Sequence, residues 1–222
     1  MVEGLVVGRV GRVAGRVVAG RVVAALVLAV WLIGVRAGPA EAPTVAPSAV
    51  PTLVRWAGAG DAAGRPFAVV DKLQAQIHVF GADGKLHGSA PVLLGLARGD
   101  VSAPGVGRRV LSGIAPQQRT TPAGRFVSEP GHNLRGEALV WVDYDAAIAI
   151  HRLRPADPAE LRPQRLASAT PDDNRISLGC IVVDGGFYDS VVAPSLGRQR
   201  AVVYVLPDSG DWTTLFSAAA GL

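Results

Sequence analysis

A single cysteine is the chain's strongest candidate for covalent chemistry. Cys180 follows Ser177-Leu178-Gly179, where a polar segment runs into the apolar stretch 181–183. A free thiol has a pKa near 8.5, so a cysteine nucleophile needs a neighbouring base at neutral pH. Gly179 lets the backbone pass close to a substrate, and the N–H groups of Gly179 and Cys180 are candidates for an oxyanion hole. The pattern fits equally a small buried hydrophobic residue at the start of a strand.

Four histidines are possible bases, and His151 is the best placed. It ends the apolar run AIAI, so a strand would hold its ring toward a loop-lined cleft. His78 alternates with apolar neighbours and is predicted on a solvent face, and His87 and His132 lie in turn regions. The alternative for His151 is a half-buried ring that donates to a backbone carbonyl. No HExxH or paired CxxC spacing occurs, so neither a metal nor another cofactor is predicted.

Charge is distributed unevenly along the chain. The chain has 22 basic and 18 acidic residues, of which residues 1–40 contain five arginines and one glutamate. The remainder therefore has 17 basic and 17 acidic residues. The net charge of +4 therefore belongs to the leader. No basic face for nucleic acid is predicted.

The first 40 residues have the parts of an export signal: arginines, the apolar run 22–35 and small residues after it. Fourteen apolar residues suit a signal peptide better than a membrane span, and an uncleaved anchor is the alternative. Both interpretations place the domain in the periplasm or cell envelope, with membrane contact only through this segment. A lone cysteine in an exported chain cannot form an internal disulfide, which leaves pairing with another chain as a further possibility.

The remaining chain divides into a Pro/Ala-rich linker over 41–64, one domain over 65–208 and a tail over 209–222. Short apolar runs broken by turn residues predict an α+β domain that is mainly β, with short helices near 157–166 and 187–192. A hairpin is predicted to turn near Asp145. The Gly-, Pro- and Arg-rich segment 98–118 is expected to be a long loop, of a kind that is usually functional or mobile.

Several motifs in this domain resemble the L,D-transpeptidase catalytic domain (YkuD-type). VVDKLQAQIHVFGADGKL resembles that family's first hairpin, and PVLLG followed by TPAGRF resembles its PVxxG and TPxGxF elements. IAIH at 148–151 resembles the strand that delivers the catalytic histidine. ISLGCIVV at 176–183 resembles the cysteine signature. The resemblance implies a mixed β-sheet or sandwich domain with Cys180 as nucleophile and His151 as base.

The resemblance also implies roles for neighbouring residues. Ser177, Leu178 and Gly179 would support the site, while Arg152, Arg175 and Val182 are candidates for substrate contact. The chain departs from the family pattern at three positions: Leu178 replaces the usual histidine, Val182 replaces Arg or Asn, and Arg152 replaces glycine. The interval between His151 and Ser177 is also longer than is usual in the family.

The implied substrate is a peptidoglycan stem peptide, which would acylate Cys180 and release a terminal D-amino acid. Carbapenem-type inhibitors would acylate the same thiol. A neighbouring stem, an envelope protein or water would resolve the thioester. The alternative is a catalytically silent envelope module that binds peptidoglycan, motivated by Leu178 and Val182.

Overall fold

The computed structural model describes residues 49–209 and 211–220. The expected signal or anchor over 1–40 and the first part of the linker, 41–48, lie outside the described residues. Among the helices of the described segments, none combines the length and apolar character needed to cross a bilayer.

The described residues form ten β-strands, each short enough to match one apolar run of the sequence. In chain order they are Phe67–Asp71 (β1), Gln76–Phe80 (β2), Leu86–Pro91 (β3), Leu94–Gly95 (β4), Gly124–His132 (β5), Ala138–Asp143 (β6), Ile148–Arg152 (β7), Arg175–Ser177 (β8), Ile181–Val183 (β9) and Ala201–Val205 (β10).

Eight of these strands form one mixed sheet in the order β3-β2-β1-β10-β5-β6-β7-β9, and β4 pairs with β8. The pairs β1–β10 and β7–β9 are parallel, and the other pairs within the large sheet are antiparallel. Leu93, just after β3, forms a bridge with Val182 in β9. The two ends of the large sheet therefore meet, which nearly closes it. The predicted mainly β, α+β fold is confirmed.

The helices are all short. They are Val50–Trp56 (α1), Arg162–Leu166 (α2), Gly185–Phe187 (α3), Ala193–Leu196 (α4) and Ser217–Ala220 (α5), with π-helical turns at Ala57–Asp61 and Tyr188–Val192. The Asp184 carboxylate caps α3 by accepting from the N–H groups of Gly186 and Phe187. The helices expected near 157–166 and 187–192 are confirmed, as is the hairpin between β6 and β7.

The inner face of the sheet encloses the main hydrophobic core. Alternate residues of each strand point inward, as the two-residue period of a strand requires. From the strand pair β7–β9 the inward residues are Ile148, Ile150, Ile181 and Val183. The segment α3–α4 fills the interior with side chains that include Tyr188, Val192 and Leu196.

One outer face, on β1 and β10, is covered by the two ends of the described chain. Leu53 of α1 and Phe216, just before α5, are buried there against Phe67 and Tyr204. Residues 50–61, which sequence reasoning placed in the linker, are helical because Val50, Leu53 and Ala57 share one apolar face. Residues around Leu53 and Phe216 thus pack on the sheet, while the domain boundaries at 64 and 209 stay predictions.

Candidate active site

A pocket of about 660 Å³ opens on the other outer face, over β7 and β9. Its floor is formed by Ala149, His151, Cys180 and Val182. These residues share a face because they alternate with the inward-pointing isoleucines and valine of the same strands. The long loop over 98–118 and the turns of the β5–β6 and β6–β7 hairpins supply the walls.

Strand register brings Cys180 and His151 close together. In the parallel pair β7–β9, His151 lies opposite Val182, so Cys180 falls diagonally across from it. With strands about 4.8 Å apart and about 3.3 Å per residue, the two Cα atoms are separated by about 8 Å. The Cys180 thiol points toward the carbonyl oxygen of Ala147, with Sγ 3.6 Å from it. No hydrogen bond joins Cys180 to His151 within the part of the chain that the structure describes.

The His151 ring is held in one tautomer. Its Nδ1 lies 2.7 Å from the carbonyl oxygen of Arg152. A carbonyl only accepts, so Nδ1 carries the proton and Nε2 keeps its lone pair. The side chain is only 9% exposed. Burial lowers the pKa of His151 to about 4, so the ring is neutral near pH 7.

Burial raises the pKa of the Cys180 thiol, whereas it lowers that of His151. Removal from water raises the pKa of Cys180, while a hydrogen bond from the Ala149 backbone and the positive charge of Arg154 act to lower it. The raised pKa keeps Cys180 as a thiol at neutral pH. The resting site is therefore a neutral thiol beside a neutral imidazole whose free nitrogen can accept a proton.

Two residues of the turn before Cys180, Ser177 and Gly179, fix its backbone conformation. The Ser177 hydroxyl donates to the Cys180 carbonyl at 2.6 Å and accepts from the Gly179 N–H at 3.1 Å. Gly179 has φ of 131°, and a Cβ there would lie 2.8 Å from the Thr120 carbonyl oxygen. Only glycine fits this backbone. The Gly179 N–H already donates to the Ser177 hydroxyl. Its use in an oxyanion hole stays a prediction, and it would require that hydrogen bond to break.

Thr121 holds this turn from the opposite side. Its buried hydroxyl donates to the Gly179 carbonyl and accepts from the Gly95 N–H, each at 2.8 Å. The Lys72 ammonium donates to the Thr121 carbonyl at 2.9 Å. Sequence reasoning quoted Thr121 only as part of the TPAGRF motif and missed this contact.

Two arginines predicted to touch substrate lie elsewhere. Arg152 forms an ion pair with Asp189 and sits 4.1 Å over the ring of Tyr188, which ties it to the segment around α3. Arg175 is buried in an ion pair with Asp208 and donates to the Lys72 carbonyl. Neither lines the pocket. Arg152 follows His151 in β7, so strand alternation turns it to the opposite face, whereas Arg175 is held away by its ion pair with Asp208. Their predicted substrate contact is corrected to a structural role.

The remaining signature positions lie at the pocket. Ser177 and Leu178 line it beside Cys180. Val182 is 1% exposed and packs in a small apolar cluster with Leu93 and Leu166. A polar side chain at this position would be buried among aliphatic groups, so valine suits its surroundings.

Several pocket residues were not assigned to the site from sequence. Arg154 and Arg162 follow β7 in a polar, proline-rich loop and line the pocket next to His151. Trp141 and Tyr144 both line the pocket, with ring centroids 5.1 Å apart. His132, expected on the surface, is exposed at the rim. Their only signal in the sequence was proximity to strand ends.

Comparison with known proteins gives structural similarity only. No protein-family model matches the chain, and no curated protein matches it. An L,D-transpeptidase solved in complex with imipenem is 15% identical, covering 64% of this chain and 58% of that one with a TM-score of 0.36. The helical cell shape determining protein from Campylobacter jejuni is 15% identical over 64% and 48%, with a TM-score of 0.41. The catalytic domain of the E. faecium L,D-transpeptidase is 19% identical over 66% and 98%, with a TM-score of 0.35.

The chain spans 58% of the first of these proteins and about half of the second. At this level of similarity, a reaction can be assigned to the chain only through its own residues.

Proposed function

We propose that the protein is an exported L,D-transpeptidase-type enzyme that acts on peptidoglycan stem peptides through a thioester on Cys180. The observation that carries the proposal is the shared outward face of β7 and β9, from which Cys180 and His151 open into one pocket. The sequence motifs quoted above supply the substrate class.

The first half-reaction would form the acyl-enzyme. Sγ attacks the carbonyl carbon on the L-side of an L,D-bond as the thiol proton passes to Nε2 of His151. The S–C bond forms, the C–N bond breaks, and the proton leaves from Nε2 with the departing D-amino acid. The Arg152 carbonyl stabilises the transient imidazolium through Nδ1–H.

The second half-reaction would release the acyl group. An amine of a neighbouring stem attacks the thioester, its proton passes to Nε2, the new C–N bond forms, and the S–C bond breaks to restore the thiol. An envelope-protein amine or water would follow the same course.

Productive geometry requires a small rearrangement. The thiol now faces the Ala147 carbonyl, and rotation about the Cα–Cβ bond of Cys180 moves Sγ to another staggered position. Catalytic hydrogen bonds are often long in ligand-free sites and tighten when substrate binds. The backbone N–H of Cys180 is the proposed donor to the developing oxyanion, because that of Gly179 is engaged by Ser177.

A silent peptidoglycan-binding module is the second candidate. The raised pKa of Cys180 and the apolar surroundings of Val182 favour it, because neither helps to generate a thiolate. The same pocket would then bind a stem peptide without chemistry.

Intact-mass measurement with a carbapenem-type probe separates the two candidates. The enzyme should gain the mass of one probe molecule, while Cys180→Ala should gain none. A folded wild-type protein that stays unmodified after prolonged incubation would exclude the acyltransferase and leave the binding module.

A further inference from the structure

The pocket wall has an unbalanced charge. Arg109, Arg154 and Arg162 line it, and within the described residues that line it there is no aspartate or glutamate. The three arginines differ in how many of their N–H groups already have partners in the protein. Arg109 donates through both terminal nitrogens, to Gln118 and to the Pro104 carbonyl. These two bonds hold Arg109 to partners within its own loop.

Arg154 has unused donors beside the reactive residues. It stands three residues after His151, its side chain is 33% exposed, and its Nε lies 2.8 Å from a carboxylate oxygen of Glu137. In the described chain, neither terminal Nη group donates a hydrogen bond. Arg162 is similar: its Nε pairs with Glu160 at 2.5 Å, and it lines the same wall.

The charge of Arg154 is felt at both reactive side chains. It acts to lower the pKa of Cys180 and contributes to the low pKa of His151, to which Arg162 also contributes. These effects agree with the pocket geometry in placing a guanidinium near the position of bond cleavage.

We infer that Arg154, assisted by Arg162, binds the carboxylate of the acyl donor, specifically the C-terminal carboxylate of the residue that leaves. This inference rests on the proposed function. In a donor that ends one residue after the scissile bond, the terminal carboxyl carbon lies within about 4 Å of the attacked carbonyl carbon. The planar fork of an arginine matches a carboxylate through two parallel hydrogen bonds.

Alkylation of Cys180 tests the anion preference without any substrate. Because the chain has one cysteine, all S-alkylation reports on this pocket. In each reaction the thiolate forms an S–C bond and iodide leaves, and the reagents differ in charge: iodoacetate is anionic and iodoacetamide is neutral. The ratio of the two rate constants cancels any change in the pKa of the thiol.

Arg154→Gln should lower the iodoacetate-to-iodoacetamide ratio about tenfold, as expected for loss of a hydrogen bond to a charged group. Arg135→Gln, in the exposed β5–β6 turn, removes the same charge outside the pocket and should leave the ratio unchanged. Glu137→Gln frees Arg154 from its partner and should raise the ratio, which keeps the test decisive if Arg154→Gln folds poorly. An unchanged ratio in folded Arg154→Gln, or a fall in Glu137→Gln, would overturn the inference.

Donor peptides then identify which carboxylate is bound. Wild-type protein should prefer a tetrapeptide with a free C-terminus over its C-terminal amide, and Arg154→Gln should lose that preference. A preference that instead follows a carboxylate on the L-side residue overturns the assignment. If no peptide is turned over, the proposed function fails, while the alkylation ratio still decides whether Arg154 binds anions.

Discussion

The two outer faces of the sheet are built by the same strand alternation and covered in opposite ways. On β1 and β10, α1 and the segment before α5 close over aromatic side chains, among them Phe67, Tyr204 and Phe216. On β7 and β9, loops form the cover and leave a pocket of about 660 Å³ above Cys180 and His151. One face is completed by packing, and the other keeps space for a ligand.

The reactive groups show the consequence of this difference. Loops are rich in polar groups, and those over the pocket contribute the charged side chains of Arg109 and Arg154 to its wall. The floor of the pocket is nonetheless rigid. The parallel pairing of β7 and β9 fixes the spacing of His151 and Cys180, and the hydroxyls of Ser177 and Thr121 hold the turn that precedes Cys180. Substitutions on the first face should affect stability alone, and substitutions on the second should affect chemistry as well as stability.

The largest expected effect is on the helical face. Phe216 is 1% exposed and contacts Trp56 and Tyr204, so Phe216→Ala should lower the free energy of unfolding by about 4 kcal/mol. Urea denaturation measures the loss. Leu215→Ala removes a 46% exposed neighbour and should cost far less. A change in the alkylation rate of Cys180 in still-folded Phe216→Ala would show that the two faces are coupled.

Acid should destabilise the pocket face through His151. Its pKa is about 4 when folded against 6.5 normally, so the unfolded chain binds more protons between these values. Stability should therefore fall as the pH drops from about 6.5 to about 4, by about 3 kcal/mol in total. Denaturation midpoints of His151→Gln should lack this part of the pH dependence, whereas exposed His132→Gln should retain it. An identical slope in all three proteins would mean that His151 is not buried as a neutral ring.

A smaller effect is expected at the turn before Cys180. Thr121→Val keeps the shape but removes the hydroxyl that joins Gly95 to Gly179, and it should cost about 1–3 kcal/mol because buried partners lose their hydrogen bonds. We also expect slower acylation by the carbapenem-type probe, since the turn loses its anchor. Thr121→Ser keeps the hydroxyl and should recover the rate. If Thr121→Val loses stability but acylates at the normal rate, Thr121 supports the fold without positioning Cys180.

Local pattern in the sequence was sufficient for the mainly β fold class and for most of the strands, although it did not signal the largely exposed β5, and it singled out Cys180 and His151 as candidates. The strands follow from alternating apolar residues and turn signals, and Cys180 and His151 stand out as a lone thiol and a strand-terminal imidazole. The packing that covers β1 and β10 could not be predicted, because Leu53 and Phe216 are far apart in sequence and gain their shared environment only after folding.

Site details that depend on distant contacts were missed for the same reason. Thr121 meets Gly179 across 58 positions of sequence, and no local pattern signals that hydrogen bond. Arg152 and Arg175 were plausible substrate contacts by position, but their ion-pair partners Asp189 and Asp208 hold them away from the pocket. Arg154 lies in a loop without regular periodicity, so nothing in the sequence distinguished it from a solvated arginine.

Single-turnover acylation by a tetrapeptide at pH 7 tests most directly whether Cys180 and His151 act together. The account predicts one thioester on the wild-type protein, none on Cys180→Ala, formation at least about a hundredfold slower in His151→Gln, and a normal rate in His132→Gln. Equal rates in wild-type protein and folded His151→Gln would contradict the account, because the imidazole on β7 would then take no part in activating the thiol.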